Sequence, residues 1–226
     1  MSLRTTAYLI RHGSTQWNEE GRWQCMDDKA LSETGQRQAD AAAEALFELA
    51  KSKPIAKVYS SPLTRAKQTA DRIAAKLGIE AEEEPLIREF NCGDISGLDF
   101  KEARRQFAEF YSRLESNWLD ERYPGGETHR EYAELCVLPA LQKMAALHRG
   151  RAVVAVTHGG FINAAVAHIM GFPEGRPLRR LTIDNCSYSE LEIETNEETG
   201  HQAGRVISIN ITAHLRVAGL LAARRL

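Results

Sequence analysis

A three-layer α/β/α domain built on a mainly parallel sheet is the fold class that this sequence predicts, and three observations predict it. Short β-rich runs alternate along the chain with longer segments of helical period. The clearest β-rich run, Arg151 to Thr157, is apolar through its middle, as a strand covered on both faces must be. The chain has 226 residues, 43% hydrophobic and 27% charged, which is ordinary globular usage and enough for one well-buried domain spanning residues 1–226.

Taken in order, Ala7-Tyr8-Leu9-Ile10 reads as a first buried strand. Ser32 is placed to cap a helix whose apolar residues Ala39, Ala42, Ala43, Leu46 and Leu49 follow helical spacing. Ala56 to Ser60 reads as a second strand. Ser61-Pro62 then opens a helix with Ala66, Thr69, Ala70, Ile73 and Leu77 on one face, stopped by Gly78. From about 92 to 126 the character changes: Phe100, Ala103, Phe107, Phe110, Tyr111, Leu114 and Trp118 recur at helical spacing among basic residues. This predicts a helical insertion beside the sheet, in which Phe90, Phe100 and Phe107 read as core. Thr128 to His148 predicts a further helix that Pro139 kinks or divides. After the strand at 151–157, Gly160 to Met170 reads as a helix. Leu181 to Ile193 and Val206 to Ile211 read as strands joined by the turn Asn196 to Gly200, and Val217 to Leu226 as a short basic helix.

Composition narrows the function. A net charge of −2 and a pI near 6.4 give no global basic surface of the kind that holds nucleic acid, and the pairs Arg104–Arg105, Arg179–Arg180 and Arg224–Arg225 read as solvated faces. No apolar run approaches the ~20 residues of a membrane span, and the apolar stretch before Arg11 is too short for a signal peptide. Cys25, Cys92, Cys136 and Cys186 are widely spaced with no CxxC, which predicts reduced thiols in a cytoplasmic protein and no zinc site. Cys25 and Cys92 also fall near the expected pocket, where oxidation could reach them. His129, His148, His168, His201 and His214 lack ligand spacing and read as structural or exposed, so no metal is expected.

The chemistry concentrates in two short motifs. Ile10-Arg11-His12-Gly13 ends the first strand and Val156-Thr157-His158-Gly159-Gly160 ends the strongest later one. Ligands of open α/β sheets bind beyond the carboxyl ends of the strands, so His12 and His158 face one pocket although 146 positions separate them. The glycine after each lets backbone approach an anion. Arg11 sits beside His12, Arg65 lies in the first turn of its helix, and Glu89 follows another short strand.

With these residues in place, the sequence resembles the histidine phosphatase superfamily in its phosphoglycerate-mutase-like branch. The resemblance runs through Leu9-Ile10-Arg11-His12-Gly13 with Thr15, Trp17 and Asn18, Leu31-Ser32-Glu33-Thr34-Gly35, Ser60-Ser61-Pro62-Leu63 with Arg65, and Arg88-Glu89-Phe90 with Gly93-Asp94 and Gly97. It continues through Pro124-Gly125-Gly126-Glu127-Thr128, Thr157-His158-Gly159-Gly160 and Asn185-Cys186-Ser187, in order across essentially the whole chain. It implies hydrolysis of a small phosphorylated metabolite without a cofactor. His12 would be the phosphoryl acceptor and Glu89 the proton donor, with Arg11, Arg65 and His158 clamping the phosphoryl oxygens, and Asn18 and Gly159 beside them.

Two departures bear on the substrate. The family often shows a Gly-Asp-Trp-Glu-Gly run where this chain has Gly93-Asp94-Ile95-Ser96-Gly97, which alters the substrate-facing wall and leaves the clamp intact. The stretch from Glu89 to His158 is shorter than in cofactor-dependent phosphoglycerate mutases, which favours a phosphatase. Mutase chemistry on a phosphoglycerate is the nearest alternative, and a non-catalytic phosphate-binding module is another. The leaving group and any association into a homo-oligomer stay open.

Overall fold

The computed structural model describes residues 4–172, 181–195 and 202–221. The chain runs β1 (Thr5–Arg11), α1 (Gln16–Glu20), α2 (Glu33–Ala50), β2 (Ile55–Ser60), α3 (Thr64–Leu77), β3 (Ala81–Glu83), α4 (Phe100–Gln106) and α5 (Ala108–Ser116). It continues through α6 (His129–Tyr132), α7 (Leu138–Leu147), β4 (Ala152–Thr157), α8 (Gly159–Ile169), β5 (Tyr188–Thr195), β6 (Gln202–Ile211) and α9 (Ala213–Val217). The strands form one sheet in the order β3-β2-β4-β1-β5-β6. The pairings β3–β2, β2–β4 and β4–β1 are parallel, whereas β1–β5 and β5–β6 are antiparallel.

Alternation along the central strands divides the core. Tyr8 and Ile10 of β1 join Val154 and Val156 of β4 beneath Ala43 and Leu46 of α2 and Ala66, Ala70 and Ile73 of α3. Ala7 and Leu9, with Val153 and Ala155, face the other way, toward Leu141 and Met144 of α7, Phe161 and Ile162 of α8, and Phe110 and Leu114 of α5. Each fully buried Leu, Ile or Phe contributes about 1.5–3 kcal/mol. Two helical layers on a strand pair buried on both faces are the three layers expected.

Local chemistry sets the helix ends. The Ser32 hydroxyl accepts from Gly35 N at 3.1 Å, capping α2 as its position predicts. Helix α3 starts at Thr64, later than Ser61-Pro62 suggests, and its cap comes from a distance: Asp28 accepts from Thr64 N at 2.7 Å. Gly78 ends it at φ 70°, in the left-handed region that glycine enters without strain. Within 92–126 the chain forms the helices α4 and α5. The helix expected at 128–148 is divided, but by a π-helical turn at Ala133–Val137, with Pro139 lying in the first turn of α7.

Several expectations are corrected. Residues 181–187 form no strand; β5 begins at Tyr188. Cys25 and Cys92 are joined in a disulfide, while Cys136 and Cys186 are free and buried. Spacing hides this pairing because it depends on two loops that meet only in the fold. Gly97 N donates to Trp23 O at 2.8 Å, and the Ser96 hydroxyl donates to Gln24 O at 3.1 Å, which brings the two cysteines together. The pairing also removes the thiol argument for a cytoplasmic setting. The turn at 196–200, Arg179–Arg180, His201 and Arg224–Arg225 lie outside the described residues; the helix expected from Val217 is not found in the described part, where α9 spans Ala213–Val217 and residues 218–221 form a turn and coil.

Candidate active site

Strands β1 and β4 lie side by side, so their carboxyl ends deliver both histidine motifs to one place. His12 N donates to Thr157 O at 2.9 Å, and the rings of His12 and His158 stand 5.1 Å apart. Both are buried. Arg65 reaches the same point from the first turn of α3, and Glu89 from the loop after β3. Arg11, His12, Asn18, Arg65, Glu89 and Gly159 line one cavity of about 710 Å³. His158 abuts it through His12 and through α8, whose first residue is Gly159.

The His12 ring is oriented by its own chain. Its Nδ1 lies 2.8 Å from Gly13 O, and because a carbonyl only accepts, Nδ1 carries the proton. Nε2 is left unprotonated, and its lone pair accepts from Arg65 Nε at 3.2 Å. Burial first, then Arg65 and Arg11, hold the imidazole well below its usual pKa, so it is neutral. Behind it, Asn185 Nδ2 donates to His12 O at 2.9 Å.

Each cation is anchored by carbonyls and keeps part of its fork toward the cavity. Arg65 is fully buried and donates from Nη1 to Asp27 O at 2.8 Å and from Nη2 to Cys25 O at 2.7 Å. Burial lowers its pKa to about 10, against the attraction of Glu89, so it remains charged. Arg11 donates from Nη1 to Ile183 O at 2.6 Å, while its buried Nε has no protein partner. The His158 ring meets Ser61 Oγ through Nε2 at 2.7 Å, and its buried Nδ1 also has no protein partner. Ser61 Oγ also accepts from Leu63 N at 3.4 Å and keeps a hydroxyl proton able to bond His158 Nε2, the pairing that puts the ring proton on Nδ1. Burial, Arg65 and His12 lower the His158 pKa well below its usual value, and of the two forms expected, cation or donor, this favours the neutral donor.

Glu89 is fixed by its neighbours on both sides. Its Oε1 accepts from Phe90 N at 2.9 Å, and a Cβ built on Gly160 would lie 2.3 Å from that oxygen, so the first turn of α8 makes room for the carboxyl by lacking a side chain. Burial raises its pKa in spite of those hydrogen bonds and of Arg65 and Arg11. Arg88 grips Glu127 in a two-pronged pair at 2.7 and 2.8 Å and donates to Glu89 O at 2.8 Å. Glu127 is thereby committed to structure.

Some placements differ from expectation. The Asn18 amide oxygen accepts from Thr15 N at 3.2 Å in a capping box, so only its amide nitrogen is left for a ligand. Gly13 is required by packing, since a Cβ there would meet Gly35 O at 2.5 Å; at Gly159 the nearest atom, Arg11 Nε, is 3.7 Å away. Phe90 and Phe100 line the cavity instead of belonging only to the core. Residues that sequence reasoning left without a role also appear: Ser61, Asn185, the Arg88–Glu127 pair, and Gln24, whose buried Nε2 has no protein partner. Ser61 and Asn185 lie in the quoted motifs, whereas Gln24 carries no sequence signal. Among the described residues no three His, Cys, Asp or Glu side chains stand together to hold a metal ion.

A buried, neutral imidazole whose unprotonated nitrogen meets Arg65, with two guanidiniums around it and a buried carboxyl of raised pKa beside it, is a site for receiving and transferring an anionic group at the mouth of an α/β sheet. The family model of the histidine phosphatase superfamily (branch 1) matches residues 7–204, and the chain belongs to that superfamily. It is 40% identical over 167 residues to the metal-independent phosphoserine phosphatase of Arabidopsis thaliana, covering 73% of this chain and 68% of that protein. It is 32% identical over 190 residues to a probable phosphoglycerate mutase of Salmonella choleraesuis, covering 84% and 86%. A mycobacterial glucosyl-3-phosphoglycerate phosphatase superposes with a TM-score of 0.76 at 26% identity, over 92% of this chain and 99% of that one.

Proposed function

We propose that the chain is a phosphatase that hydrolyses a small phosphomonoester through a phosphoryl group carried on His12. The observation that supports this best is the state of His12: Nδ1 held by Gly13 O, Nε2 unprotonated and facing Arg65. A nucleophile needs that lone pair, and its pKa is depressed by the same cations that would draw the substrate in. The phosphoryl oxygens would be bound by Arg11 Nε, Arg65 and His158 Nδ1, with Gln24 and Asn18 at the edge. Each such donor contributes typically ~2.7–4 kcal/mol to the barrier, so several are required for so slow a reaction.

In the first step His12 Nε2 bonds to phosphorus as the ester P–O bond breaks, and Glu89 gives its proton to the departing alkoxide. In the second, water attacks phosphohistidine, Glu89 takes the water's proton, and inorganic phosphate leaves. Acid and base roles fall to one carboxyl in turn. His12→Ala is expected to lower kcat by at least ~10³-fold. Rapid quench with labelled substrate should give an acid-labile, base-stable phosphoenzyme on a His12 peptide; label on another residue would overturn the assignment. The permanent charges of Arg11 and Arg65 fill the place a metal would take and repel one. Turnover is therefore expected to survive EDTA, and loss reversed by a divalent metal would contradict it.

A further inference from the structure

The cavity reaches well beyond the phosphate clamp. A volume of about 710 Å³ is in the range that encloses drug-sized ligands, far more than a serine or glycerate leaving group needs. Its walls are aromatic. Trp118 stacks on His129 at 3.9 Å and His129 on Phe90 at 4.5 Å, each pair inclined by 17°, forming one continuous ring stack. Trp23 meets Phe100 edge-on at 5.1 Å, and Phe172 also lines the cavity. Phe100 and Phe172 remain 55% and 44% exposed, so this apolar surface is left facing the opening and not folded away.

Charge is scarce along these walls. Among the described lining residues, the only lysine or arginine outside the clamp is Arg22. Its guanidinium is already held by Glu20 at 2.7 Å and by Gly97 O at 2.9 Å. A carboxylate on the leaving group would lose water against aromatic rings and meet, among the described lining residues, no lysine or arginine outside the clamp that is not already engaged, which is costly. Phosphoserine and 3-phosphoglycerate both carry one. Lining residues here also carry buried polar atoms without a hydrogen-bond partner, among them the donor Trp23 Nε1 and the acceptor Asn163 Oδ1. They suit one hydroxyl or amide on an otherwise apolar body.

We propose that the substrate class is the phosphomonoester of a bulky, uncharged alcohol bearing a planar ring, seated between Trp23–Phe100 and the Phe90–His129–Trp118 stack, whose side chains set specificity. This rests on the phosphatase reading above. Two measurements separate the failure of one from the failure of the other. The first compares kcat/KM for 2-phenylethyl phosphate and 3-phosphoglycerate, both alkyl esters, where a preference of at least about tenfold for the aromatic ester is expected. In Phe100→Ala that ratio should fall several-fold, chiefly through KM, and Phe100→Tyr should restore it. The second measures calorimetric binding of 2-phenylethylphosphonate against 2-carboxyethylphosphonate, which requires no turnover; the phenyl compound should bind at least about tenfold tighter. Equal values, or preference for the carboxylates, would overturn the proposal even if hydrolysis were rapid. Tight phenyl binding without hydrolysis of any ester would support it while overturning the phosphatase reading.

Discussion

Burial disfavours charge of either sign, so the desolvation that lowers the His12 pKa also raises that of Glu89. Arg65 and Arg11 reinforce the first effect and oppose the second, and at Glu89 desolvation prevails. Together the two shifts favour an unprotonated imidazole beside a protonated carboxyl, the pairing that the proposed mechanism requires. For an alkyl phosphate, kcat/KM is expected to hold on the acid side of neutrality, because His12 gains its proton only well below 6.5. It should fall as rising pH strips Glu89 of its proton, above the ordinary carboxyl range. Glu89→Gln should remove that alkaline limb and cost about 10²-fold or more on an alkyl phosphate. It should cost less on p-nitrophenyl phosphate, whose phenolate leaves without a proton. Equal losses on both esters would make Glu89 a positioning residue, and Glu127, clasped by Arg88, could not take its place.

The loops that present these residues are bound to each other more firmly than spacing suggests. The Cys25–Cys92 disulfide closes a span of 67 residues and ties the loop whose carbonyls anchor Arg65 to the loop that follows Glu89. By loop-closure entropy such a link stabilises the fold by about 4 kcal/mol, which for a chain of this size corresponds to roughly 10 °C in Tm. Scanning calorimetry with and without dithiothreitol should show that difference, and Cys92→Ser should abolish it. An unchanged Tm on reduction would show that the link adds no stability. The elements themselves were largely legible. Ser32, Gly78 and the periodic apolar faces of α2 and α3 are local signals that need no tertiary context. The two histidine motifs could be brought to one pocket from the sequence because strand ends converge, whereas Arg65 and Glu89 were reached through the family resemblance. The disulfide was not, since a pairing across 67 positions has no local signature. The role of Phe90 and Phe100 was hidden for another reason: helical period reveals that a face is covered, not whether protein or ligand covers it.

At the scale of the whole molecule, the strand that leads into His12 pairs only with segments that come much later in the chain. β1 is flanked by β4 and β5, which begin at Ala152 and Tyr188, and β4 is also what joins β1 to β2. Synthesis at ~5–20 residues per second leaves on the order of 10 s between completing β1 and completing β4. Through that interval an apolar strand with both edges open is a target for chaperones and for other nascent chains. A ribosome-bound chain arrested near residue 150 should be cut rapidly by protease, and one whose residues through Ile211 have emerged should resist. His12 acquires its setting only when Thr157 and Asn185 reach it, so the growing polypeptide passes through most of its translation without a reactive imidazole trap for cellular phosphate esters.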